Sequence, residues 1–172
     1  MKRTVLILFL AAAFSVFAMS AYAQDKGSVS KGDMKFVMEA ASGGLLEVEL
    51  GNYVAQAASS PDVKAFAQRM VTDHSKANQE LMTLAEDKQI KLPKEMNKKH
   101  MKAYQKLKGM QGADLDKAYM KQMVKDHKDD VKAFGNEAKK GKDPDIKAFA
   151  ANTLPILQEH LKLAQDIQKK MK

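Results

Sequence analysis

Met70-Val71-Thr72-Asp73-His74 recurs as Met123-Val124-Lys125-Asp126-His127. Each copy lies midway along a segment whose apolar residues return every three or four positions, the spacing of an amphipathic α-helix. Around the first copy the stripe is Val63, Phe66 or Ala67, Met70, His74, Ala77, Leu81 and Leu84. Around the second it is Leu115, Tyr119, Met123, His127, Asp130 or Val131, Phe134 and Ala138. Each histidine therefore takes an inward position, and the aspartate before it lies about 100° away.

Two further segments share this pattern. Glu47 falls midway along a stripe of Phe36, Ala40, Gly44, Gly51, Val54 and Ala58, and His160 midway along Ile146, Ala150, Thr153, Leu157, Ala164, Ile167 and Met171. Four helices of about 26 residues, each about 39 Å long, predict an all-α, up-down four-helix bundle. In such a bundle the midpoints share one layer, so Glu47, His74, His127 and His160 are expected to converge. A buried charge must be paired or ligated. The layer is thus either a hydrogen-bonded cluster or a binding site for one Zn, Cu, Mn or Fe ion. Asp130 is a further candidate ligand. Asp73, Asp126 and Glu159 fit outer partners better. Buried neutral imidazoles also predict acid sensitivity below roughly pH 6.5.

The helix limits follow from local signals. Residues 33–58 form the first helix. Ser60-Pro61-Asp62 starts the second and Asp143-Pro144-Asp145 the fourth, each with a cap residue, a proline and an acid. The second helix ends near Asp87. Asp114 is the expected cap of the third, which Gly141 stops. Pro155 lies inside the fourth and removes one backbone hydrogen bond, which predicts a kink. Between the second and third helices, Leu92-Pro93 opens a short basic helix over 94–108, read as part of a long crossover. Gly43, Gly44 and Gly51 each cost about 1 kcal/mol in a helix relative to Ala, which predicts close approach by a neighbour. The run Pro61-Asp-Val-Lys-Ala-Phe-Ala67 matches Pro144-Asp-Ile-Lys-Ala-Phe-Ala150 at six of seven positions. The same offset of 83 carries Glu47 onto Asp130, so the two helix pairs read as duplicated halves.

The first residues are set apart. Lys2 and Arg3 precede an uncharged apolar run, Thr4 to Ser20, and Ala21-Tyr22-Ala23 has the A-x-A form of a cleavage site. Residues 1–23 read as a signal peptide cleaved before Gln24, 24–32 as a flexible leader and 33–172 as the bundle domain. The expected location is periplasmic or secreted. Removing 23 of the 172 residues leaves 149 and takes the formal charge from +8 to +6. No later stretch is apolar enough to span a bilayer. With no cysteine, disulfides, thiolate metal sites and thiol catalysis are excluded. The lysines are dispersed over helix surfaces, and export argues against nucleic acid. Acidic envelope components are the more accessible partners, and the basic helix over 94–108 is a candidate surface for them. No Ser-His-Asp order, glycine-rich phosphate loop or catalytic dyad stands out. The methionines replace leucine at stripe positions and read as core.

Taken together, Gly43-Gly44…Glu47-Val48-Glu49-Leu50-Gly51, Val63-Lys-Ala-Phe-Ala67, Met70…Asp73-His74, Tyr119…Met123…Asp126-His127 and Leu154-Pro155…His160 resemble a ferritin-like "domain of unknown function" family of bacterial periplasmic or outer-membrane proteins. The resemblance implies a ferritin-like bundle with a long crossover between its second and third helices, and implies no activity. Di-iron members of the wider ferritin-like group carry Glu-x-x-His on two helices. Here Val71, Val124 and Leu157 stand three residues before the histidines, which argues against a di-iron centre and leaves a mononuclear one. On sequence alone the leading expectation is a non-enzymatic role in envelope maintenance or stress. Metal binding, with or without redox chemistry, is the alternative.

Overall fold

The computed structural model describes residues 29–171, so the signal peptide and most of the leader lie outside the described residues. Five helices follow in order: α1 (Lys31–Ala57), α2 (Pro61–Asp87), α3 (Lys98–Leu107), α4 (Gly112–Lys140) and α5 (Pro144–Lys170). The four long ones form an all-α bundle, and α3 lies in the crossover. No described helix is long and apolar enough to cross a membrane.

The arrangement follows from which ends meet. α1 packs mainly on α2, and α4 on α5, as two helical hairpins. Asp33 at the start of α1 reaches the loop after α4, and Asp116 at the start of α4 reaches the loop after α1. Lys88 after α2 pairs with Asp143 and Asp145 at the start of α5, and Lys170 at the end of α5 pairs with Asp62 at the start of α2. The pairs α1/α4 and α2/α5 are therefore antiparallel, and α2 and α4 run parallel across the diagonal. A parallel neighbour cannot be reached by a tight turn. That is the physical reason for the long connection through α3.

Several boundaries differ from expectation. Ser30 caps α1 by accepting the Asp33 N–H, so Lys31 and Gly32 are helical rather than leader. α3 begins at Lys98 under an Asn97 cap, four residues later than the expected start. α4 begins at Gly112, and Asp114 sits in its first turn instead of capping it. Ser60 precedes α2 as expected, but its hydroxyl makes no capping bond. The Asp116 carboxylate occupies that end instead, accepting N–H bonds from Ser59 (3.0 Å) and Ser60 (2.8 Å). A carboxylate is well placed at a helix N-terminus, where unpaired N–H groups converge. α5 runs as one helix through Pro155.

The glycines divide. A Cβ on Gly44 would overlap the Asn78 amide, and one on Gly51 would lie 2.8 Å from Val71 Cγ2 and 3.0 Å from the Ala67 carbonyl oxygen. Both admit α2 to close approach on either side of Glu47. Gly43 does not, since its nearest neighbour would be 3.8 Å away.

The core is in two parts. One apolar cluster gathers Leu50, Val54, Phe66, Met70, Tyr119 and Met123, and the other Phe36, Val37, Leu81, Phe134, Ile146 and Leu157. Met70, Met120 and Met123 are fully buried, as packing residues would be. The Glu47 and histidine positions fall between the two clusters along every long helix.

α3 is fastened by a residue that the helix pattern did not single out. His100 is buried, and its Nδ1 lies 2.7 Å from the Ser42 hydroxyl of α1. The same hydroxyl accepts the Asn97 N–H at 2.8 Å. The signal was present in the spacing, because His100 and Leu107 are seven apart on one face of α3.

Candidate metal centre

The four expected residues do meet. Glu47, His74, His127 and His160 are all buried, with His127 and His160 fully so. One ligand atom from each of His74, His127 and His160 lies within 4.8 Å of the others. Glu47, His127 and Asp130 form a second such group sharing His127.

Each imidazole has one nitrogen committed outward. His74 Nδ1 donates to Glu47 Oε2 at 2.8 Å. His127 Nδ1 donates to the Met123 carbonyl at 3.0 Å. His160 Nε2 donates to Asp73 Oδ2 at 2.8 Å, and Arg69 holds Asp73 from behind while pairing with exposed Glu159. A carbonyl or carboxylate oxygen can only accept, so the nitrogen facing it carries a proton. A ring that is neutral then keeps its lone pair on the opposite nitrogen, Nε2 of His74, Nε2 of His127 or Nδ1 of His160. Among the described residues His74 Nε2 and Glu47 Oε1 are buried without a hydrogen-bond partner, and Glu47 Oε1 lies 3.6 Å from His127 Nε2. His127 Nε2 and His160 Nδ1 face each other at 3.3 Å.

The electrostatics favour that state. Burial lowers the His127 pKa, against the pull of Glu47. Burial lowers His160 to about 4, against the pull of Asp73. Burial would raise the Glu47 carboxyl, but the imidazoles around it, His74 foremost, outweigh that and hold it well below its ordinary value. Asp130 is pushed well up by burial and by the neighbouring Glu47. His127 and His160 are therefore held toward the neutral form beside the Glu47 carboxylate, a pairing that complements a divalent cation.

The outer residues separate as expected in two cases. Asp73 orients His160, and Glu159 reaches the cluster only through Arg69. Asp126 does not touch the histidines. It is buried against Gln122, whose amide donates to it at 2.7 Å. Sequence reasoning also passed over the Tyr119 hydroxyl, which is buried without a partner; burial and Glu47 raise its pKa.

This architecture, a four-helix bundle with a Glu–His layer contributed by every long helix, defines the class of protein. The chain belongs to the family described as "Domain of unknown function (DUF4142)", whose model matches residues 18–167. No curated protein matches it. Among solved structures it is similar to the crystal structure of a DUF305 fragment from Deinococcus radiodurans, with a TM-score of 0.72 at 8% identity. The similarity covers 83% of this chain and 98% of that one, and shows a common fold.

Proposed function

We propose that the protein binds one transition-metal ion in its buried layer, with His74, His127 and His160 as nitrogen ligands and Glu47 or Asp130 as oxygen ligand. The observation that carries this reading is the meeting of two imidazole nitrogens. His127 Nε2 and His160 Nδ1 are 3.3 Å apart, while the other nitrogen of each ring meets an oxygen that can only accept. Two lone pairs at that distance repel unless a cation or an extra proton lies between them. Two nitrogens bound to one tetrahedral ion at about 2.0–2.1 Å each are about 3.4 Å apart. The outward hydrogen bonds resemble the carboxylate–histidine–metal arrangement that orients ligands in known sites. Zn, Cu, Mn and Fe all suit this donor set.

The N-terminal features of the sequence add that the protein is exported and holds its ion in the cell envelope. On this reading the expected non-enzymatic role in envelope maintenance or stress becomes one of metal handling there.

The competing reading is a metal-free cluster in which a proton bridges His127 and His160. Elemental analysis of protein purified without chelator, beside His74→Ala, separates the two. Metal binding predicts one ion per chain, lost in the variant. No stoichiometric metal after loading with any of the four ions would overturn it. Cobalt substitution supplies a second readout, because d–d absorption reports nitrogen-rich coordination directly.

A further inference from the structure

A buried ion needs a way in, and the histidines themselves offer none. His127 and His160 have no exposed surface. Three cavities near them share lining residues. One of about 30 Å³ touches Glu47, His74 and Asn78, and one of about 20 Å³ touches Glu47 and Asp126. The third, of about 290 Å³, is an open cleft between α1, α3 and α4. Asp130 lines all three, and no other residue does. It is also within 4.8 Å of ligand atoms of both Glu47 and His127.

We propose that the cleft between α1, α3 and α4 is the entry route for a divalent cation, and that Asp130 at its floor passes the ion to Glu47 and His127. The proposal rests on the metal-binding reading above. Apart from Asp130, the cleft carries Glu39, Asp129 and Glu137 against Lys35 and Lys99, a small net negative charge that attracts cations. Beyond Asp130, Glu47 lines both small cavities, and its buried Oε1 has no hydrogen-bond partner and lies 3.6 Å from His127 Nε2. Lys99 stands where the cleft and the second cavity meet and opposes the passage of positive charge. Asp130 is thus a transfer ligand, and Lys99 sets the rate.

Stopped-flow binding of Co²⁺ to the full-length mature protein tests the route. Ala133 lines the cleft and is exposed, whereas Ala148 on α5 is exposed away from it. Ala133→Trp should slow association and dissociation by the same factor, roughly tenfold, because it raises a barrier and leaves the bound state intact. Ala148→Trp should change neither. Lys99→Glu should raise the association rate about three- to tenfold at low salt, and the gain should vanish at high salt. Lys162→Glu, the same change in net charge on α5, should have little effect. Asp130→Asn should slow association most. Stoichiometric binding at wild-type rates in both Ala133→Trp and Lys99→Glu overturns the route alone. Failure of the wild-type protein to bind Co²⁺ or any of Zn, Cu, Mn and Fe overturns the metal reading, and the route with it.

Discussion

Asp33 and Asp116 stand 83 positions apart and make the same contacts at opposite ends of the bundle. Asp33 accepts the N–H groups of Lys142 and Asp143 before α5, and Asp116 accepts those of Ser59 and Ser60 before α2. Ser59 and Ser60 are themselves 83 positions before Lys142 and Asp143. Each hairpin thus caps the second helix of the other, and the halves are related by an approximate two-fold axis. The duplication read from the Pro61 and Pro144 runs is expressed as a reciprocal pair of charged hydrogen-bond sites. It also sets Glu47 and Asp130 in matching positions beside the same histidine.

Removing either carboxylate should therefore cost a similar amount. Hydrogen bonds to a charged acceptor are worth about 1.5–3 kcal/mol. Asp33→Ala and Asp116→Ala should each destabilise by about 2–3 kcal/mol in urea unfolding. The sites are separated by the length of a helix, about 40 Å. The double variant should show the sum, since distant sites are additive. A marked shortfall would mean that the two caps are coupled through the bundle.

Acid should weaken the metal-free fold in a defined window. The His160 pKa falls from its ordinary 6.5 to about 4 on folding, and that of His127 also falls. The unfolded chain then takes up protons first as pH drops. Stability is lost below about 6.5 and continues to fall to about 4. His160 alone accounts for about 2 kcal/mol by pH 5. Glu47 has the opposite dependence on its own pKa. Its folded value is depressed, so its contribution is present above its ordinary value of 4.5 and lost below it. The melting temperature of chelator-treated protein should drop by several degrees between pH 8 and pH 5. A flat profile would contradict the burial of neutral imidazoles.

The helix glycines should respond in opposite directions. Gly51→Ala drives a methyl against Val71 and the Ala67 carbonyl, and should destabilise by about 1–3 kcal/mol. Gly43→Ala meets nothing closer than 3.8 Å, and should stabilise by up to about 1 kcal/mol through helix propensity. Thermal unfolding of the two variants side by side reads the difference.

Asp73→Asn should weaken the ion without dismantling the bundle. An amide in place of the carboxylate lowers the basicity of His160 and leaves Arg69 short of a partner. Loss of such an outer partner costs about 10–100-fold in metal affinity. Competition titration against a chromophoric chelator measures it. Unchanged affinity would place His160 outside the coordination shell.

Helical phase was enough to bring Glu47, His74, His127 and His160 together on paper, because each lies on an apolar stripe near the middle of its helix. It could not rank Asp130 against Val131, whose positions differ by one residue on the edge of the same stripe. Nor could it find the Asp33 and Asp116 caps, which join residues far apart in the chain. His100 escaped notice for a different cause. In a helix dominated by lysine its partner, Ser42, lies on another element, and only docking of α3 on α1 buries the pair.

The Met70–His74 and Met123–His127 stretches fixed the helix type, the inward face and the depth of each histidine, since a helix has one period and the stripe sets its phase. Which ring nitrogen stays free is not a property of that period. It depends on Glu47, Asp73 and the Met123 carbonyl each accepting one ring N–H hydrogen bond, and on α5 bringing His160 Nδ1 to 3.3 Å from His127 Nε2. Those contacts involve all four long helices. Only tertiary packing decides them, and with them whether the layer is a plug of paired polar groups or a seat for an ion.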